Sequence, residues 1–81
     1  MTALADPVLA GIAEVVRRHL GWQGPLGREM RLVEDLQLDS VRMLTLAVEV
    51  ENRFRVVLDE SDETAIETVG DLVEVVRKKL G

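Results

Sequence analysis

The chain contains no cysteine and no tyrosine, and only one histidine, one tryptophan and one phenylalanine among 81 residues. Without cysteine there is no disulfide framework, no thiolate metal site and no cysteine nucleophile. A lone His19 excludes a zinc site built from several imidazoles. With Trp22 and Phe54 as the only aromatics, the core has to be aliphatic, drawn from Leu, Val and Ile within a hydrophobic content of 47%. Long apolar runs are missing as well: Met43 to Val50 is interrupted by Glu49 and is far too short to span a bilayer. An excess of basic charge is also absent. The 15 acidic and 10 basic residues leave a net charge of −5, which gives no electrostatic route to nucleic acid. Met1 to Pro7 has neither the basic nor the apolar region of a signal peptide, so the expected compartment is the cytoplasm. The length predicts one domain over residues 1–81 and favours a small partner or carrier over a stand-alone enzyme.

The acidity is unevenly placed. Residues 1–30 are neutral overall, residues 31–76 carry twelve acids against Arg31, Arg42, Arg53 and Arg55, and Arg77, Lys78 and Lys79 close the chain. Such a field either steers a basic partner or keeps a small protein solvated. The apolar pattern is helical throughout. Asp6-Pro7 reads as an N-cap with proline at the first helical position, and Val8, Leu9, Ile12, Val15, Val16 and Leu20 follow at three- and four-residue intervals. Gly21 ends that helix. A second begins at Asp39-Ser40, with Val41, Leu44, Ala47, Val48 and Glu51 on one face and Met43, Leu46, Val50 and Phe54 on its neighbour. A short helical segment is expected around Asp62 to Ile66. Thr68 and Asp71 then form a capping box ahead of Val69, Leu72, Val73, Val76 and Leu80. The reading is an all-α, four-helix bundle: three longer helices, one short one, and a long loop over residues 21–39 between the first two. There is no strand signal.

That loop carries Gly21, Gly24, Pro25 and Gly27 but also apolar pegs: Trp22, Leu26, Met30, Leu32, Val33, Leu36 and Leu38. It ends in Asp35-Leu36-Gln37-Leu38-Asp39-Ser40-Val41, which puts a hydroxyl at a helix N-terminus. Ser40 or Asp39 serves first as an N-cap. A serine hydrolase is a poor fit, because no G-x-S-x-G is present and the only histidine lies in another helix. An exposed hydroxyl at a helix N-terminus does tolerate a phosphate ester.

Residues 31–76 resemble the acyl carrier protein family. The D-x-x-x-D-S-[LV] segment falls on Asp35 to Val41, the following apolar and aromatic positions on Leu46, Val50 and Phe54, the acidic loop on Asp59 to Glu63, and the entry to the last helix on Ile66 and Thr68-Val69. The resemblance implies a non-catalytic carrier domain in which Ser40 is the attachment point for covalent 4′-phosphopantetheine, delivered from coenzyme A by a phosphopantetheinyl transferase. The thiol of that arm would carry acyl groups as thioesters between acyl-loading and acyl-processing enzymes. The resemblance further implies that Asp35, Asp39, Val41, Arg42, Thr45, Val48, Glu51 and Glu60 meet those partners. It also implies that Leu44, Leu46, Val50, Leu58, Ile66 and Val73 line a shelter for the acyl chain. No metal, nucleic acid or membrane is expected to take part, and a monomer is expected.

Several positions depart from the fatty-acid carriers of that family. Gln37 replaces a glycine, so a less permissive loop backbone is expected there. Asp59 replaces a proline. Arg42 and Thr45 stand where those carriers present acids to their partners, and the later acidic cluster is thinned to Glu51-Asn52-Arg53. A positive residue there disfavours partners that grip with lysine and arginine. The expected role is therefore in a specialised polyketide or lipid pathway. Two alternatives are an aminoacyl or peptidyl carrier, which would usually show G-G-H-S-L around the serine, and an unmodified helical interaction domain.

Overall fold

Each helix among the described residues starts on a side-chain cap. A computed structural model describes residues 6–81, so most of the Met1 to Pro7 segment lies outside the described residues. α1 spans Pro7–Leu20, and the Asp6 carboxylate accepts the backbone N–H groups of Val8 and Leu9. α2 spans Ser40–Phe54 behind Asp39, which accepts the Arg42 N–H at 2.8 Å. α3 spans Glu60–Ala65 and α4 Val69–Leu80, each opened by a capping box, Asp59 with Asp62 and Thr68 with Asp71. These side chains satisfy N–H groups that a helix cannot satisfy internally. The short helix begins two residues earlier than expected. Asp59 caps it, so the acidic stretch forms its first turn and leaves Ile66 outside as the C-cap.

α1 packs against both α2 and α4. The core is wholly aliphatic, with Ile12, Val16, Leu32, Val50, Val69, Leu72, Val73 and Val76 fully enclosed. Phe54 and Trp22 pack on its edge. α1 and α2 meet at Gly11, where an added Cβ would lie 2.5 Å from Cζ of Phe54. A glycine in mid-helix weakens the helix itself, and here the close approach of the aromatic ring requires it.

The nineteen residues between α1 and α2 are held along their length. Leu32, Leu36 and Leu38 are buried in the core. The loop backbone is also tied to the entry of α4: Leu32 N–H donates to Glu67 O, Val69 N–H to Met30 O and Gly70 N–H to Arg28 O. An antiparallel bridge between Arg31 and Thr68 results, the only β pairing among the described residues. Gly70 allows this approach, since a Cβ there would sit 3.1 Å from the Arg28 carbonyl. The loop thus delivers Ser40 from a fixed backbone.

Gln37 departs from expectation. Replacing glycine does not relax the loop, because Gln37 still adopts a left-handed conformation with φ of 57°. The buried leucines on both sides, Leu36 and Leu38, fix the path that the backbone must take between them.

Candidate functional site

Ser40 is the first residue of α2 and is exposed to solvent. Its neighbour Asp39 accepts the Arg42 N–H, so the cap is made by the aspartate and the serine hydroxyl is left free of it. Ser40 also stands on the rim of a cavity of about 290 Å³ lined mainly by apolar groups of α2, the α2–α3 loop and α4. Leu44, Leu46, Leu58 and Ile66 line it. Val50 and Val73 do not: both are fully buried in the core. The cavity reaches along α2 only as far as Ala47, so Val50 lies almost a turn beyond it. On α4, Leu72 turns to the cavity and its neighbour Val73 does not.

Leu32, Met43, Ala47, Glu63 and Leu72 also line the cavity but are absent from the sequence-based set. Four of these are apolar, on helix faces or pegs already visible as core candidates, and nothing in the sequence separates wall from core. Glu63 carries no sequence signal for this position. A smaller hollow of about 110 Å³ shares Leu32, Met43 and Ile66 with the larger cavity.

The residues expected to face partners divide into two groups. Val41 and Val48 are 71% and 42% exposed, and the cavity residue Leu44, which continues their helical spacing on α2, is 64% exposed although it was expected only in the cavity wall. Arg42 and Glu60 are exposed as well, and Thr45 is half-buried with its hydroxyl bonded to the Val41 carbonyl. Three of the four acids are engaged within the molecule. Asp35 accepts the Arg31 N–H at 2.7 Å, and Asp39 caps α2. Glu51 turns toward the α2–α3 loop, where it accepts the Leu58 N–H at 2.7 Å.

The site can do little chemistry alone. His19, at the far end of α1, pairs with Glu49 at 3.4 Å. Among the described residues no group of histidine, aspartate and glutamate could hold a metal ion, and no helix is long and apolar enough to cross a membrane. What the geometry offers is a free hydroxyl on a helix N-terminus, next to an apolar cavity.

The model of the phosphopantetheine attachment site family matches residues 10–76. The chain belongs to the acyl carrier protein family. It is 32% identical over 79 residues to the meromycolate extension acyl carrier protein of Mycolicibacterium smegmatis, covering 96% of this chain and 80% of that one. It is 31% identical over 80 residues to the acyl carrier protein of Thermotoga maritima, covering 98% and 99%. A solved structure assigned to an acyl carrier protein of Mycobacterium tuberculosis superposes with a TM-score of 0.82 at 28% identity, over 88% of this chain and 96% of that one. The function is that of an acyl carrier, and its covalent cofactor is 4′-phosphopantetheine. The residues present fit such a group: an exposed hydroxyl to esterify, helix N–H groups beside the phosphate position, and an apolar cavity adjoining it.

Proposed function

We propose that Ser40 carries the phosphopantetheine arm and that this carrier serves a specialised lipid or polyketide pathway. The arm supplies a thiol that holds acyl groups as thioesters. One observation supports the serine's role above all: an exposed hydroxyl at the first position of a 15-residue helix, on the rim of an apolar cavity. The N-terminus of α2 favours the phosphodiester's negative charge. Asp39 holds that helix end by its cap and leaves the Ser40 hydroxyl to the transferase, which provides the activating base. Leu44, Leu46, Leu58 and Ile66 receive the proximal part of an acyl chain that folds back from the arm. Val50 and Val73 support the cavity from the core.

Partner enzymes approach over Val41, Arg42, Thr45 and Val48, with Asp35 and Glu60 on the flanking elements. The kinship with meromycolate extension carriers supports a lipid-extension pathway, and Arg42 in place of an acid sets the chain apart from general fatty-acid carriers. Incubation with coenzyme A and a broad-specificity phosphopantetheinyl transferase, followed by intact mass measurement, tests the serine's role. One arm is expected on the wild type and none on Ser40→Ala. Equal addition to both proteins would overturn it.

A further inference from the structure

Four side chains of α2 are charged: Arg42, Glu49, Glu51 and Arg53. Three are engaged inside the molecule. Glu49 faces His19 at 3.4 Å, Arg53 pairs with Glu14 of α1 at 2.8 Å, and Glu51 accepts the Leu58 N–H. Arg42 differs. Only its backbone N–H is bonded, and its guanidinium forms no ion pair among the described residues. Residues 1–5 hold no carboxylate that could pair with it. The acids just before Ser40 are engaged too, Glu34 with the Arg31 guanidinium, Asp35 with the Arg31 N–H and Asp39 with the Arg42 N–H.

Next to this free cation lies an apolar stripe. Val41, Leu44 and Val48 recur at intervals of three and four residues, so they form one continuous exposed strip along the helix. Arg42 is set on its flank, on the same edge as Glu49 and Arg53 by the seven- and four-residue spacing. The outer face of α2 therefore presents apolar contact area and a single unpaired positive charge.

We infer that this face docks enzymes whose surface is apolar against Val41, Leu44 and Val48 and bears a carboxylate opposite Arg42. It turns away enzymes that offer lysine or arginine there. This rests on the reading of Ser40 as the modified residue, because docking at α2 matters only if the arm starts beside it. An arginine already paired within the molecule would be indifferent to the partner's charge. A free one gains a charge-assisted, potentially bidentate contact from a carboxylate and is repelled when a second cation is brought against it.

The test uses one enzyme that must seat beside Ser40, a broad-specificity phosphopantetheinyl transferase, in two forms. One is unaltered, with a basic residue on its carrier-docking surface. In the other that residue is replaced by glutamate. Steady-state kcat/KM for arm transfer is measured with wild-type carrier, Arg42→Gln and Arg42→Glu. Fold should survive both substitutions, since the Asp39 cap uses the Arg42 backbone N–H and acidic residues suit the first turn of a helix; circular dichroism verifies this.

With the unaltered transferase, Arg42→Glu is expected to raise kcat/KM about threefold or more, and with the glutamate form to lower it about tenfold, mainly through KM. Arg42→Gln should fall between in both series. Both effects should shrink as salt rises. Changes in the same direction with both transferases, or no change with either, would overturn the inference while leaving Ser40 as the modified residue. Failure of any form to receive the arm on prolonged incubation would overturn the reading of Ser40 and this inference with it.

Discussion

Gln37 occupies a left-handed conformation three residues before Ser40, with its side chain exposed and making no hydrogen bond among the described residues. Substitution by glycine is expected to stabilise the protein. An L-residue at this φ costs about 1–2 kcal/mol. Glycine removes that cost but adds about 0.5–1 kcal/mol of backbone entropy to the unfolded chain. The net gain spans about 0–1.5 kcal/mol and centres on about 0.5–1 kcal/mol. For 81 residues the unfolding entropy is near 0.17 kcal/mol/K, so Gln37→Gly should raise Tm by about 3–6 °C. Thermal melts followed by circular dichroism measure this directly. Gln37→Ala serves as the comparison: it retains the left-handed cost and should shift Tm by no more than about 1–2 °C. If Gln37→Gly left Tm unchanged or lowered it, the conformation at residue 37 would not be strained in solution, and the fixed path between Leu36 and Leu38 would be wrong.

Two further perturbations probe the supports of the site. Glu51→Ala leaves the N–H of buried Leu58 without its carboxylate acceptor, and should cost about 1–3 kcal/mol in urea unfolding, with Glu51→Gln costing less; equal, negligible effects of both would show that the contact does not hold the α2–α3 loop. The second concerns pH. The backbone N–H groups of Glu67 and Thr68 hold the Asp71 carboxyl below its ordinary range, in opposition to partial burial. A carboxyl whose pKa is lower in the folded state stabilises fully above its unfolded value, about 3.9, and that stability is lost as pH falls through the folded value. Thermal stability should therefore decline below about pH 4, and Asp71→Asn should flatten the decline while lowering stability at neutral pH. Parallel pH profiles for the two proteins would refute this.

The helices were legible because their signals are local. Asp6-Pro7, Asp39, and Thr68 with Asp71 are caps that operate within one turn, and each operates as the sequence predicts. The short helix was misplaced by two residues because an acidic run resembles a turn until Asp59 and Asp62 are seen to cap each other. The tie between residues 28–32 and the entry of α4 joins backbone groups about forty residues apart, for which side-chain periodicity gives no signal. Gly11 likewise looks like a weakness in α1 until Phe54 is seen against it.

The candidate site was legible in part, for similar reasons. Ser40 and its cap are a local motif, and the exposed stripe of Val41 and Val48 follows from spacing. Which leucines and valines face the cavity depends on how α2, α4 and the loop meet, so Val50 and Val73 could not be separated from Leu46 and Leu72 in advance. The inward turn of Glu51 depends on where the α2–α3 loop returns, and the family resemblance alone put it among the partner residues.

The placement of the arm on Ser40 is tested most directly by the intact mass of the protein isolated from its own host, with fragmentation to locate any added group. The expected result is a population bearing phosphopantetheine, free or acylated, on Ser40 alone. Protein that is wholly unmodified in cells making its pathway enzymes, or an arm located on any other residue, would contradict it.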